Sequence, residues 1–399
     1  MPAQHALRQP TLGLYGLSLL LFMAASSAPT PLYRLYQSLW SFPVMELTLI
    51  FAAYVMSLLV SLLCFGGWSD HIGRRRIVSV ALLLEALSMA LFLLADGPGW
   101  LIAARLLQGV ATGLAMAAMA AALMDINPQR GATLNSLLPL AGMGLGALGT
   151  GLLAKYAPQP TQLIFIILLS GFVLQALRTW RAADTVEAEP GAVLSVVPRI
   201  AVPRRLWLPL LSVVLPNMAA WALGGFYLSL MPSLLRQLAP GNYQLLGGIT
   251  TALLTGCGAL SIILASRGQW HGPKILLTAA SGLILGSAVL LVGMEQDNVL
   301  ILLSGSAVSG FGFGLGFLGV LRTMVPRVQA HERAGFMAAL YILSYCSNAV
   351  PAVIAGYSAQ HAGLHQTAQV FISGVLISCL LGLVLLRLNR RQLSCPAGS

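Results

Sequence analysis

Twelve long apolar segments dominate this sequence, and their length limits how the chain can fold. Each contains about 20 mostly apolar residues, which as an α-helix span the roughly 30 Å hydrocarbon core of a bilayer. Transmembrane β-strands would alternate in polarity over about 10 residues, whereas these segments are continuously apolar. The sequence therefore predicts an all-α membrane protein with 12 transmembrane helices. The segments cover residues 12–30, 45–66, 76–95, 100–123, 132–154, 162–179, 207–230, 244–265, 275–294, 298–321, 335–357 and 366–387.

The composition supports the same class of protein. Of the 399 residues, 57% are apolar and 8% are charged, whereas about a quarter of the residues in soluble domains are charged. A soluble globule of this size could not cover its surface with so few charges. We expect the first apolar segment to be a spanning helix, because it is longer than the apolar region of a signal peptide.

The basic residues predict the topology, because Lys and Arg accumulate in cytoplasmic loops. With the N-terminus in the cytoplasm, eighteen of them fall on the cytoplasmic side and three on the other. We therefore expect both termini in the cytoplasm and a multi-pass protein of the inner (plasma) membrane. This asymmetry accounts for the net charge of +11, so no nucleic-acid partner is expected. Twenty arginines against two lysines indicate a GC-rich, bacterial genome.

The chain divides into two similar halves. Its longest polar interruption, residues 178–206, separates the twelve segments into two sets of six. Residues of one type recur 200 or 201 positions apart, namely Asp96 and Asp297, His71 and His271, and Tyr156 and Tyr357. Duplicated six-helix units form a transporter architecture with the substrate site between the halves near the bilayer midplane. We predict two pseudo-symmetric six-helix bundles, residues 1–179 and 207–399, joined by a cytoplasmic central loop at 180–206.

The loop between predicted helices 2 and 3 carries the most specific motif. It reads GGWSDHIGRRR over residues 66–76 and resembles the loop signature of the major facilitator superfamily, G-x-x-x-D-[RK]-x-G-[RK]-[RK]. His71 stands where the family usually has a basic residue. The resemblance covers the whole chain and implies that superfamily's twelve-helix fold and transport by alternating access. The matching residues are Gly66, Asp70, Gly73, Arg74 and Arg75.

These loop residues are candidates for a conformational latch. Asp70 is suited to face the N-terminus of helix 11, where a carboxylate meets the positive end of the helix dipole. The resemblance implies that Arg74 reaches Asp125 at the cytoplasmic end of helix 4 and closes a latch that favours the outward-open state. The alternative is that the arginines only anchor the topology.

Predicted helix 4 contains a cation inside the membrane. The sequence from Arg105 to Gln108 and Gly109 resembles the superfamily's R-x-x-Q-G motif, whose arginine is associated with proton coupling. A charge at this depth needs a partner or a water-filled cavity. Because Arg105, Gln108 and Thr112 recur at helical spacing, we predict that one stripe of helix 4 faces a central cavity. A purely structural Arg105 is the alternative.

Glu85 is an acid midway along predicted helix 3. Helices 3 and 4 run in opposite directions, so Glu85 and Arg105 differ in depth by about 7 Å at a rise of 1.5 Å per residue. This predicts a pair that neutralises both charges. Glu85, Arg105 and Gln108 are therefore coupling candidates, with Glu85 as a possible proton carrier. The alternative is a structural partner, because third helices in this fold usually lie outside the cavity.

Polar and aromatic side chains at helical spacing are candidates for lining the substrate cavity, although such stripes also occur in simple packing. Because Arg105 and Glu85 are the charges deep in the spans, a polyanion would find few cationic partners. A hydrophobic or amphipathic compound, neutral or cationic, fits better. Besides Thr112, the candidates are Asn217 and Trp221 in helix 7, Phe313 and Phe317 in helix 10, and Tyr341, Tyr345 and Asn348 in helix 11.

Predicted helix 5 contains the glycine-rich run GMGLGALGTG at residues 142–151. It is similar to the antiporter motif of the exporter branch, G-x-x-x-G-P-x-x-G-G, although Ala147 replaces the proline; close helix packing is the alternative. We predict a monomeric, proton-coupled exporter of the drug:proton antiporter-like branch, driven by the proton gradient without a cofactor or metal. One alternative is uptake or facilitated efflux of a small metabolite, such as a sugar or organic acid; a more remote one is a membrane scaffold or receptor.

Enzymatic function is not expected. The sequence contains no nucleotide-binding P-loop, no HExxH or GxSxG motif and no paired catalytic carboxylates. The absence of a P-loop also argues against an ATP-driven pump. The cysteines show neither metal-ligand nor disulfide spacing; they are Cys64, Cys257, Cys346, Cys379 and Cys395.

Overall fold

The structure is a computed structural model that describes residues 11–186 and 200–388. Residues 187–199 of the predicted central loop, and Cys395, lie outside the described residues. All twelve predicted helices are present, each long and apolar enough to cross a membrane. They are α1 Leu12–Trp40, α2 Val44–Phe65, α3 Arg74–Leu93, α4 Pro98–Ile126, α5 Pro128–Tyr156, α6 Leu163–Trp180, α7 Arg204–Ser229, α8 Tyr243–Arg267, α9 Gly272–Glu295, α10 Val299–Arg327, α11 Arg333–Ala362 and α12 Leu364–Leu388.

Several helices are longer than the apolar segments that predict them. The apolar run marks the part in hydrocarbon, whereas capping residues decide where a helix ends. At the start of α5, Pro128 occupies the first turn and the Asn127 side chain accepts a hydrogen bond of 2.9 Å from the Arg130 N–H. Both features stabilise a helix N-terminus, so α5 begins four residues before the predicted segment.

α1 is interrupted at the end of the segment predicted at 12–30 and then continues to Trp40. One α-helical part covers Leu12–Ser27, a 3-10 turn covers Thr30–Leu32, and a second α-helical part covers Tyr33–Trp40. Pro29 precedes the turn and Pro31 lies inside it, and neither can donate the main-chain hydrogen bond that a continuous helix requires. The break therefore follows directly from the two prolines.

Each half of the chain has its own apolar core. In the first half, α1, α3, α4 and α6 bury their side chains against one another, and aromatic pairs join α1 to α6 and α3 to α6. Phe22 and Phe172 pack edge to face at 5.3 Å between ring centroids, and Phe92 stacks on Phe165 at 4.7 Å. In the second half, α7 and α12 contribute to two buried clusters.

The two halves meet along α2 with α11 and along α5 with α8. The glycine-rich run of α5 makes close approaches on two faces. A Cβ at Gly146 would lie 2.1 Å from the carbonyl oxygen of Ala24 on α1, and one at Gly151 would lie 2.7 Å from that of Gln244 on α8. The run therefore serves close helix packing, and its antiporter assignment stays a prediction.

The contacts between the halves differ between the two ends of the molecule. We call the end with the 66–76 loop the basic end and the other the far end. At the far end, the Thr30 hydroxyl donates to the Leu228 carbonyl at 3.2 Å, and the Lys155 ammonium donates to the Asn242 side chain. Toward the basic end, residues 132–141 of α5 are all exposed or partly exposed. The two halves are therefore bonded to each other at the far end, whereas this stretch of α5 is at least partly exposed toward the basic end.

Candidate functional site

Arg105 is the centre of a polar network enclosed in the first bundle. Its side chain is fully buried, because α4 packs between α2 and α3 at this level. Its Nε and Nη2 donate to the Tyr33 hydroxyl at 2.9 and 2.6 Å, and its Nη1 donates to the Ser26 carbonyl at 2.8 Å. The guanidinium also lies 5.2 Å from the ring centroid of Tyr54. These contacts replace the water that a buried cation would otherwise need.

Gln108 separates Arg105 from Glu85, so the predicted direct ion pair is wrong. The Gln108 Oε1 accepts from Arg105 Nη1 at 2.6 Å, and its Nε2 donates to Glu85 Oε1 at 2.8 Å. The depth estimate considered only the rise along the helices and ignored the direction of each side chain around its axis. Gln108, one turn further along α4, lies between the two charges.

The helix 4 stripe does not line open space in this structure, contrary to the prediction. Arg105, Gln108 and Thr112 are all fully buried. Gly109 brings α2 against this stretch, because a Cβ there would lie 2.4 Å from the Tyr54 carbonyl oxygen. Thr112 is therefore a packed residue in this conformation and not part of a cavity wall.

Four aromatic rings of the second bundle form a continuous cluster near the middle of the spans. Their centroids are 4.7 Å apart for Trp221 and Tyr345, 5.9 Å for Trp221 and Phe317, 5.9 Å for Phe317 and Tyr341, and 6.3 Å for Tyr341 and Tyr345. Three rings are partly exposed and Tyr345 is buried. The Tyr345 hydroxyl lies 3.9 Å from the sulfur of Met116 on α4. We call this quartet the aromatic cluster; it lies where the two bundles meet.

The other cavity candidates contact the helices that carry the aromatic cluster. Asn348 Nδ2 donates to the Trp221 carbonyl at 2.8 Å and holds α11 against α7. Asn217 is fully buried and donates to the Ser344 hydroxyl at 2.9 Å, so in this conformation it is a packing residue and its place in a cavity wall stays a prediction. Phe313 is partly buried against the second bundle's core.

At the basic end, Arg74 contacts Asp125 on α4, the partner that the resemblance implied; that this contact is a latch favouring the outward-open state stays a prediction. Its Nε lies 3.2 Å from Asp125 Oδ2, its Nη1 donates to the Ser69 hydroxyl at 2.7 Å, and it pairs with Asp70. The Asp70 side chain is 56% exposed. Its carboxylate belongs to the first bundle's own network through Arg74, and its approach to the start of α11 stays a prediction.

The other signature residues shape the loop. Gly66 follows the last residue of α2 and its N–H bonds to the Leu62 carbonyl at 3.1 Å. Gly73 has a φ of 105°, a conformation that favours glycine. A Cβ there would also lie 2.4 Å from Asp184 Oδ2. Arg75 donates from Nη1 to the Trp180 carbonyl at 3.1 Å, so the loop is fastened to the end of α6.

Sequence reasoning missed the partners that complete both networks. Tyr33 and Ser26 bind Arg105 from either side of the break in α1, and Pro29 and Pro31 were the available signal. At the basic end, Asp184 accepts from the Arg75 N–H at 3.3 Å. The acidic residue after α6 gave no signal of its own, because nothing in the sequence brings it near the loop.

The cysteines and the lipid-facing surface add no chemistry to these sites. Cys64, Cys257, Cys346 and Cys379 are free thiols, and the described residues contain no cluster of three or more ligands suited to a metal. A groove of about 550 Å³ lies between α7, α11 and α12. Its wall residues Ile354 and Val370 are 60% and 67% exposed, so it opens on the surface that would face lipid.

The family model for the Major Facilitator Superfamily matches residues 15–350. A crystal structure of the nucleoside transporter NupG superposes with a TM-score of 0.73 at 10% identity, covering 94% of this chain and 99% of that one. A crystal structure of a D-xylose-proton symporter gives a TM-score of 0.69 at 14% identity, covering 93% and 96%. No curated protein sequence matches significantly. The neighbours share the transporter fold, and the chain belongs to the Major Facilitator Superfamily.

Proposed function

We propose that this transporter is a proton-coupled exporter of small hydrophobic or amphipathic compounds that works by alternating access. The aromatic cluster is the observation that supports this substrate class. Partly exposed rings of Trp221, Phe317 and Tyr341 offer apolar faces that bind planar or cationic groups. Arg105 and Glu85, the charges deep in the spans, are fully buried elsewhere, so the cluster has little to attract a polyanion.

The shape of the molecule supports alternating access. Closure at the far end and exposure along residues 132–141 of α5 fit one of the two states that such a transporter visits. With the basic end placed in the cytoplasm by the positive-inside rule, this state is open to the cytoplasm. It is the state in which an exporter collects its substrate.

A second candidate is transport of a small polar metabolite. The aromatic rings could stack on a sugar or a nucleobase, and the Tyr341 and Tyr345 hydroxyls lie beside them. The similarity to nucleoside and D-xylose transporters shows a common fold at 10% and 14% identity. It does not choose between the substrate classes.

Reconstituted vesicles with an imposed pH gradient test both candidates. An antiporter accumulates substrate when the interior is acidic, and a symporter when the interior is alkaline, whichever way the protein is inserted. We expect organic dyes and lipophilic cations to accumulate in acidic vesicles and a protonophore to abolish this. Accumulation in alkaline vesicles would overturn antiport. Transport of sugars or nucleosides with no transport of any hydrophobic compound would overturn the substrate class.

A further inference from the structure

The break in α1 is held from both sides by one side chain. Arg105 Nη1 donates to the Ser26 carbonyl before the break, while Nε and Nη2 donate to the Tyr33 hydroxyl after it. Such charge-assisted hydrogen bonds are among the stronger ones in proteins. The guanidinium of Arg105 is therefore a clamp across the discontinuity in α1.

The clamped break touches the other half of the protein. Thr30 lies in the 3-10 turn between the two clamped positions, and its hydroxyl bonds to the Leu228 carbonyl on α7. This contact is part of the far-end closure. A change in the geometry of the break would move Thr30, so the Arg105 clamp and the closure are mechanically connected through the six residues between Ser26 and Tyr33.

Glu85 supplies the charge that balances the clamp. Gln108 has one orientation that satisfies both neighbours, because a guanidinium only donates and a carboxylate only accepts. Its Oε1 accepts from Arg105 and its Nε2 donates to Glu85 Oε1. The other carboxylate oxygen, Oε2, is buried without a hydrogen-bond partner among the described residues. A proton can therefore add there without displacing an existing bond.

The surroundings contain no other described carboxylate that could take over this role. Arg105 on α4 and Tyr54 on α2 are the charged or titratable groups near Glu85 among the described residues, and Tyr33 on α1 follows as a partner of Arg105. α6 also packs against α3 and contributes apolar side chains such as Phe165 at this core. Neutralising Glu85 would leave the buried Arg105 with neutral partners only, which is costly in a water-free setting.

We propose that Glu85 binds the coupling proton and that its charge, passed through Gln108 to the Arg105 clamp, controls closure of the far end. With Glu85 ionised, the clamp is balanced and the far end is closed. A proton on Oε2 removes the balance and favours conformations in which water reaches Arg105 and the break in α1 relaxes. By linkage, the far-end-open state then holds the proton more tightly. This inference rests on the proton coupling proposed above.

A distance across the far end tests the proposal without any substrate. Spin labels are placed at Gln159 and Gly241, exposed positions in opposite halves, in a protein whose five native cysteines are replaced. Pulsed electron resonance should report a short distance in alkaline solution and a growing long component on acidification. Glu85→Gln should give the long component at all pH values. Glu295→Gln, at an exposed acid ending α9, should titrate like the parent.

Gln108→Leu is a second variant, because it removes the bridge but keeps the carboxyl. It should make the distance insensitive to pH, and it guards against misfolding of the Glu85 variant. In vesicles, Glu85→Gln should abolish pH-driven accumulation, because the coupling proton has lost its binding site, while substrate exchange without a gradient continues. An unchanged pH-dependent distance in Glu85→Gln overturns the inference. Failure of the parent to couple protons overturns the proposed function instead.

Discussion

The Thr30 hydroxyl donates a hydrogen bond of 3.2 Å to the carbonyl oxygen of Leu228 and so joins the two bundles at the far end. The carbonyl is available because the residue four positions on is Pro232, which has no N–H to complete the helical bond. A proline on one bundle thus creates the acceptor for a hydroxyl on the other. This hydrogen bond between the bundles is a single contact, but it depends on two parts of the chain that are far apart in sequence.

Thr30→Val should weaken the far-end closure while keeping the side-chain volume. The Leu228 carbonyl would remain buried without a partner, at a cost of about 1–3 kcal/mol. The distance between labels at Gln159 and Gly241 should therefore shift toward the open state. Thr133→Val is the matched control, because the Thr133 hydroxyl is exposed and bonds within its own helix. An equal shift in both variants would contradict a specific role for Thr30.

Gly356→Ala should also disfavour the closed far end. A Cβ at this position of α11 would lie 2.2 Å from the Thr48 hydroxyl oxygen on α2, and overpacking of this kind costs about 1–3 kcal/mol. We expect a longer label distance at the far end and slower transport. Gly374→Ala on α12 meets nothing within 4 Å and should behave like the parent protein. If Gly356→Ala changed neither the label distance nor the transport rate, α2 and α11 would have to separate freely at this point.

Trp221→Ala should raise the KM for hydrophobic substrates by roughly three- to tenfold. The reason is that the substrate loses one aromatic contact, which contributes about 0.5–1.5 kcal/mol to binding. The protein should remain folded, since the ring is partly exposed. Initial transport rates over a range of substrate concentrations measure the effect. Trp180→Ala, at an exposed ring that ends α6, should leave KM unchanged. A KM that does not change in Trp221→Ala removes the aromatic cluster from the substrate site.

Asp70→Asn should lower transport without lowering the amount of protein in the membrane. The Asp70 carboxylate pairs with Arg74 but is more than half exposed, so the pair itself adds little stability. Asp125→Asn should lower the thermal unfolding midpoint more, because Asp125 joins Arg74 to α4 and also accepts from Thr185 at 3.1 Å. Surface labelling, transport rates and thermal unfolding separate these effects. Unchanged transport by Asp70→Asn would contradict the latch.

The Arg205–Glu332 pair should be insensitive to pH near neutrality. Arg205 hydrogen-bonds the carboxylate at 2.8 Å and holds the pKa of Glu332 below its usual value. A lowered carboxyl pKa means that the pair stabilises the folded state above the unfolded pKa and loses this contribution as pH falls through the folded one. The difference in unfolding midpoint between parent and Glu332→Gln should therefore be constant near neutral pH and disappear only in acid. A difference that already changes at neutral pH would exclude a lowered pKa.

The aromatic cluster and the Arg105 network differ in how far the sequence could predict them. Trp221, Phe317, Tyr341 and Tyr345 were candidates from helical spacing alone, and the structure brings all four together. Spacing shows which side chains share a face of one helix. It does not show which faces meet, and so Asn217 and Thr112 were expected in the cavity but are buried.

The sequence is sufficient to identify the twelve spans, because a bilayer imposes one length and one polarity on every crossing helix. It also determined the superfamily, through a loop whose glycines and charges stand at fixed spacing. The partner of each buried polar group, in contrast, is visible only once the helices are packed together. Gln108 lies between Arg105 and Glu85, and Tyr33 reaches Arg105 across a break in α1. Those contacts depend on how helices rotate and approach one another, and side chains far apart in sequence set that rotation by packing.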